Sequence, residues 1–211
     1  RSQKVQLLKE AKEAYTEVRA QNGLSWLFVL SILATFFIMP VGVLFPLMTL
    51  NHYSGNAYQI SLVEAAWGIG ALLGGAFLGI KKFRLNEISL INWMYILLGI
   101  TFLLSGVLPV SGYPLFVGLT AVGGISGSLY MASFTTVMQT RINPVVMGRV
   151  FSFYMSVSLL PSMIGLLSTG FLADNIGIGN TFIIGGVLVG MIGLVSFFVP
   201  SIRELRESFC K

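Results

Sequence analysis

The chain has 211 residues, 55% of them hydrophobic and 10% charged, and a mean hydropathy of +0.84. Soluble domains carry about 25% charged residues, so a water-clothed fold is excluded and the apolar exterior must meet lipid. The net charge of +5 sits in short stretches between apolar runs, which removes the need for a nucleic-acid partner, and the single cysteine, Cys210, can form no internal disulfide.

The first residue is Arg1 and no signal peptide precedes the first apolar run, so the chain is expected to begin inside a longer protein. Within residues 1–22, Val5, Leu8, Ala11, Tyr15 and Val18 recur at helical spacing with Lys and Glu between them. That pattern predicts an amphipathic interdomain helix, either resting on the cytoplasmic membrane face or running as a solvated linker.

Residues 23–200 hold six runs, each near the roughly 20 apolar residues that cross about 30 Å of hydrocarbon as a helix. They are Leu24–Leu50, Ile60–Ile80, Ile88–Leu108, Leu115–Met138, Val150–Leu172 and Thr181–Val199. The turns between them are short, as in Ser54-Gly55-Asn56, Ser111-Gly112 and the stretch Asp174–Asn180 with Gly177 and Gly179. Short turns make sequential helices antiparallel neighbours. Asp174 is expected to cap or end the fifth span, and residues 201–211 form a cytoplasmic tail. The expected class is an all-α membrane protein of six transmembrane helices.

Charge tests this topology. Arg1, Lys4, Lys9, Lys12 and Arg19 precede the first span, and Lys81, Lys82 and Arg84 follow the second. Arg141 and Arg149 lie between the fourth and fifth, and Arg203, Arg206 and Lys211 follow the sixth. Six spans put all 13 basic residues on one side of the bilayer, which the positive-inside rule makes cytoplasmic. Five or seven spans would break the pattern. Both ends of the chain are therefore expected in the cytoplasm.

Residues able to do chemistry are few. There is no Walker sequence, paired carboxylate or metal-ligand cluster, so no enzyme activity, cofactor or metal is expected. Gly123 to Gly127 lacks a lysine and sits in an apolar run, so it reads as packing. His52 is read as a wet loop residue. Glu64 is the one acidic residue well inside a span. An ionised carboxylate there costs at least about 2.5 kcal/mol unless it faces a cavity or a partner. Glu64 is therefore the proton-coupling candidate, the alternative being a carboxylate that reaches the headgroups. Gly70/Gly74, Gly75/Gly79, Gly123/Gly127 and Gly186/Gly190 are spaced four apart and permit close helix contact. Pro40, Pro46 and Pro161 are expected to kink the first and fifth spans.

Leu72-Leu73-Gly74-Gly75-Ala76-Phe77-Leu78-Gly79 aligns without a gap on Leu166-Leu167-Ser168-Thr169-Gly170-Phe171-Leu172-Ala173, at a constant offset of 94. Each ends the middle helix of a three-span group. The groups start on opposite sides, which reads as two inverted three-helix repeats. Chance likeness between two Gly/Leu-rich helices is the alternative.

These residues carry a resemblance. Gly75-Ala76-Phe77-Leu78-Gly79-Ile80-Lys81-Lys82-Phe83-Arg84 resembles the Gly-x-x-x-(Asp/Gly)-(Lys/Arg)-x-x-(Arg/Lys) loop of the major facilitator superfamily. Gly148-Arg149-Val150-Phe151-Ser152, with Pro161, Gly165, Gly170, Leu172-Ala173-Asp174 and Gly177, resembles the eleventh helix of its macrolide-efflux-type and enterobactin-exporter-type members. Gly23-Leu24-Ser25-Trp26-Leu27 and the helix before it resemble the linker between the two halves. Gly79 stands where the N-terminal copy of the loop has Asp, so a charge relay from that position is not available.

The resemblance implies helices 7 to 12 of a twelve-helix transporter in the bacterial inner membrane, partnered by an N-terminal six-helix half. It implies alternating access and export of a small hydrophobic substrate, drug-like or siderophore-like, in exchange for protons. It assigns Gly75, Gly79, Lys81, Lys82, Arg84 and Arg149 to a cytoplasmic gate, with plain anchoring as the other reading of the cations. It places the first, second, fourth and fifth spans on the cavity, where Phe37, Trp67, Tyr130, Tyr154 and Met155 are substrate-contact candidates. A six-helix homodimeric transporter and a non-transporting sensor or scaffold stand as alternatives.

Overall fold

The computed structural model describes residues 12–21, 23–80 and 86–207. A helix covers residues 12–20 (α1). Six long helices follow: Leu24–Leu47 (α2), Ala57–Ile80 (α3), Glu87–Val107 (α4), Tyr113–Arg141 (α5), Pro144–Ile176 (α6) and Ile178–Phe198 (α7). A short helix, Pro200–Glu207 (α8), ends the described chain. The described residues include no strand. All six long helices are long and apolar enough to cross a membrane, so the chain is an all-α, six-span membrane protein. The first span runs on through a π turn, Met48–His52.

Helix starts follow cap chemistry. At α3, Asn56 Oδ1 accepts from the Gln59 amide at 3.1 Å and Gln59 Oε1 accepts from the Asn56 amide at 3.0 Å, a reciprocal capping box. Asn86 caps α4 through the Ile88 amide at 3.1 Å, and Asn143 caps α6 through the Val145 amide at 3.0 Å. Pro144, with no amide hydrogen to leave orphaned, takes the first turn of α6. The fifth helix therefore begins six residues before the apolar run at Val150.

Two expectations are corrected at the far end of α6. The turn proposed for Asp174–Asn180 is a single residue, Gly177, at φ 86° and ψ 153°. Side chains disfavour this backbone region, so the glycine turns the chain from α6 into α7 without a loop. Asp174 lies within α6 and neither caps nor ends it. Pro40, Pro46 and Pro161 lie inside helices that remain continuous through them.

Close glycine contacts fix the directions. α4 and α7 pack antiparallel: Gly106 meets Gly179, Gly99 meets Gly186 and Gly190, and Gly193 meets Asn92 and Ile96. A Cβ on Gly99 would lie 2.6 Å from the Gly186 carbonyl oxygen. α3 and α5 pack parallel, with Gly70 against Ala121 and Gly74 against Ile125 and Ser128. α2 and α6 also pack parallel, with Gly165 against Phe36 and Pro40. Small residues allow this approach where lipid supplies no hydrophobic drive between helices. Of the predicted glycine pairs, Gly75/Gly79 alone meets no neighbour, since a Cβ at either position would enter open space.

The core centres on Phe45, whose ring lies 5.2 Å from Phe182, 5.6 Å from Phe116, 6.0 Å from Trp67 and 6.1 Å from Phe102. Five helices meet there. The outer face is apolar, as lipid requires. α3 and α6 are the least covered, with 17% and 22% of their most apolar stretches buried, against 39% or more in every other span.

α1 docks on one end of the bundle. Ala14 and Val18 are buried, and the Ser25 hydroxyl donates to the Val18 carbonyl at 3.0 Å. The Gln21 amide donates to the Arg141 carbonyl. Tyr15, expected on the apolar face, is 51% exposed, because contact with the helix ends selects Ala14 and Val18 instead. Val5, Leu8 and Ala11 lie outside the described residues. α8 rests against α2, α4 and α7 with Ile202 buried.

Candidate functional site

Glu64 and Trp67 lie three apart on α3 and so share a face. They open onto a cleft of about 220 Å³ between α2, α3, α4 and α5. Ile38, Phe45, Phe102 and Thr120 complete most of its wall. The Thr120 hydroxyl is turned to its own helix and donates to the Phe116 carbonyl at 2.8 Å. The Glu64 carboxylate is thus the cleft's one ionisable group, and among the described residues it has neither an ion pair nor a hydrogen bond. The Trp67 ring is seated on glycine: a Cβ at Gly123 would come 3.0 Å from its Cζ3. Two sequence candidates, Glu64 and Trp67, therefore meet in one cavity.

Tyr130 and Tyr154 meet elsewhere. Both hydroxyls contact Ser31 Oγ, Tyr154 at 3.0 Å, and the Tyr95 hydroxyl donates to the same oxygen at 3.3 Å. Ser31, Tyr95, Tyr130 and Tyr154 come from α2, α4, α5 and α6, and all four are buried. A serine oxygen offers one proton and two lone pairs, so three phenols saturate it. Ser31 and Tyr95 were not singled out from sequence. The signal available was the polarity of two residues inside otherwise apolar runs.

Phe37 lies on another groove, about 200 Å³, formed with Pro40 on α2, Ser168 and Leu172 on α6, and Ile184 and Leu188 on α7. Met155 is 58% exposed on α6. The five contact candidates are thus spread over four environments. Gly75 and Gly79 face outward on α3. Lys81, Lys82 and Arg84 lie outside the described residues. The Arg149 guanidinium donates to the Glu13 carboxylate of α1 at 2.6 Å.

His52 is corrected. It closes the π turn half-buried, with Nε2 2.8 Å from the Leu108 carbonyl oxygen. A carbonyl can only accept, so Nε2 carries the proton. The next residue, Tyr53, is buried among His52, Tyr113 and Phe116. Its hydroxyl has no partner among the described residues, and burial pushes its pKa up to about 12.

Comparison with known proteins places this architecture. The chain is 34% identical over 200 residues to macrolide efflux protein A of Streptococcus pyogenes, an alignment covering 95% of the chain and 49% of that protein. It is 27% identical over 218 residues to an MFS-type transporter of Bacillus subtilis, covering 97% of the chain and 51% of that protein. It is 28% identical over 180 residues to the multidrug efflux pump Tap of Mycolicibacterium fortuitum, covering 85% and 43% respectively. The chain spans about half the length of these curated relatives. No family model and no solved structure matches it. The relatives are named as efflux proteins or as an MFS-type transporter, not as enzymes. Over nearly its whole length, the chain corresponds to one half of a major facilitator superfamily transporter, similar to the macrolide and multidrug efflux proteins.

Proposed function

We propose that this chain is the C-terminal half, helices 7 to 12, of a proton-coupled exporter of small hydrophobic compounds, drug-like or siderophore-like. In this reading residues 1–22 form the linker from the N-terminal half, residues 23–200 the membrane half and residues 201–211 the tail. The observation that carries it is the lone carboxylate of Glu64 in an apolar cleft, in a chain whose relatives are named for efflux. Those relatives are about twice its length, which favours a half over a six-helix homodimer.

The N-terminal half would cover the faces of α3 and α6, the spans least buried within the chain. Reading the six spans as two inverted triplets is supported by their pairing. Exchanging the triplets maps the α3/α5 contact on α6/α2 and the α4/α5 contact on α7/α2, and leaves α4/α7 on itself. The bacterial inner membrane is the compartment, with the basic end of the bundle in the cytoplasm. Lys81, Lys82, Arg84 and Arg149 would act at that end as the gate, on rocking of the two halves.

Glu64 would exchange its proton with the outer side. The cleft faces it with Ile38 and Phe45 from α2, Phe102 from α4 and Thr120 from α5, none of them charged. The test is export by the full-length protein in vesicles carrying a pH gradient. Glu64→Gln should abolish proton-driven export. Export that keeps its rate and pH dependence in that variant ends the proton-coupling role of Glu64. Absence of any gradient-driven export by the unsubstituted protein ends the transporter reading.

A further inference from the structure

The helix α1 sorts its charges by face. Glu13 and Glu17 stand four residues apart on one flank, where the Glu13 carboxylate holds Arg149 at the start of α6. Ala14 and Val18, also four apart, form the stripe buried against the bundle. Lys12, Tyr15 and Arg19 recur at helical spacing on the face that remains, and all three are exposed. Among the described residues, neither Lys12 nor Arg19 has an ion pair. Two acids balance two bases over residues 12–20, so separation of the charges, not a net excess, makes this face cationic. The contacts of Glu13, Ala14 and Val18 fix the rotation of the helix and keep that face turned from the bundle.

Its depth identifies what it meets. Gly23, at φ 90°, turns the chain directly from α1 into α2. The Ser25 hydroxyl, in the first turn of α2, donates to the Val18 carbonyl at 3.0 Å, and the Gln21 amide donates to the carbonyl of Arg141, the last residue of α5. α1 is thus fastened at the level where the spans leave the hydrocarbon. Trp26 and Trp93, within the first two turns of α2 and α4 at the same end of the bundle, are both exposed. Tryptophan and tyrosine gather at the headgroup level of a bilayer, and Tyr15 continues that belt onto α1. Cations and an aromatic ring on the free face of a helix held at this depth suit an anionic lipid surface.

We propose that the Lys12–Tyr15–Arg19 face of α1 is a docking surface for anionic phospholipid headgroups, with the two cations on the phosphates and the tyrosine ring at the headgroup level. The surface goes beyond the export reading and does not depend on it.

The test uses the full-length protein in bilayer discs of equimolar phosphatidylglycerol and phosphatidylcholine. A benzophenone maleimide is placed on Thr16→Cys, in a background with Cys210→Ser and no other cysteine. Thr16 lies on the exposed side of α1, so photo-crosslinking records which lipid is beside it. Adducts should favour phosphatidylglycerol. Lys12→Gln and Arg19→Gln should each lower that preference about fivefold. Lys12→Arg and Arg19→Lys should keep it, and about 1 M salt should remove it. Equal adducts with the two lipids overturn the surface, as does a preference undiminished at high salt or in the folded double variant Lys12→Gln/Arg19→Gln. Adducts to the protein itself in place of lipid also overturn it, and would assign the face to the other half of the transporter. Vesicle export by the same protein keeps the two readings apart. Lipid preference without export leaves the surface standing and removes the transport function; export without the preference removes the surface alone.

Discussion

The Arg149 guanidinium lies 2.6 Å from the Glu13 carboxylate and joins α1 to the start of α6. The side chains are 44% and 40% exposed, so screening holds the pair to no more than about 1 kcal/mol. Its effect is on position. Glu13→Gln should therefore leave the melting temperature nearly unchanged. A spin label at Ala20→Cys, in a Cys210→Ser background, should gain mobility in that variant. Exchanging the charges, with Glu13→Arg and Arg149→Glu together, should restore the rigid spectrum.

Glycines that look alike in sequence should respond differently to alanine. A methyl at Gly70 collides with the Ala121 carbonyl, and one at Gly124 with the Trp67 carbonyl. Either substitution should force α3 from α5 and cost about 1–3 kcal/mol. Within this chain Gly75→Ala and Gly79→Ala meet nothing, and they should leave the α3–α5 packing within about 1 kcal/mol of the parent. Melting of the purified protein in detergent measures both.

Ser31 is the hub on which three tyrosines converge. Ser31→Ala removes their shared partner and should cost about 1–3 kcal/mol, since buried hydroxyls would lose their bonds. Tyr154→Phe removes one spoke and should cost less, below about 1.5 kcal/mol. A larger loss in Tyr154→Phe than in Ser31→Ala would show that the serine is not the hub.

The Tyr53 hydroxyl is buried with no partner among the described residues, so Tyr53→Phe should be neutral or mildly stabilising at neutral pH. Burial lifts its pKa from 10.0 to about 12. The folded protein thus keeps a proton that the unfolded chain releases, and stability present below pH 10 falls as the pH rises toward 12. Denaturant melts across that window should show a shallower loss in Tyr53→Phe.

The spans were legible because lipid demands long apolar runs whatever the packing. Helix ends were less so. α6 starts at an Asn143 cap and Pro144, six residues outside the hydrophobic run, and Gly177 looked like part of a loop because only its φ reveals a one-residue corner. Glu64 and Trp67 stood out separately in the sequence, and their spacing of three on one helix is what joins them. Phe45, Phe102 and Thr120 reach the same cleft from other spans, and no local pattern links them. Tyr130 and Tyr154 stood out as aromatic residues. Their convergence on Ser31 depends on how α2, α5 and α6 cross.

α6 has 33 residues and α7 has 21, lengths of roughly 50 Å and 32 Å at 1.5 Å per residue. Gly177 joins them with no slack, so the excess of α6 cannot be taken up there. The apolar run of α6 begins at Val150, so the turns from Pro144 to Arg149 would stand out beyond the hydrocarbon, like a tiller above a hull. Tilting of α6 within the bilayer would then be magnified at that protruding end, which is where α1 is fastened. A push on α1 and a change of slope in α6 become the same motion.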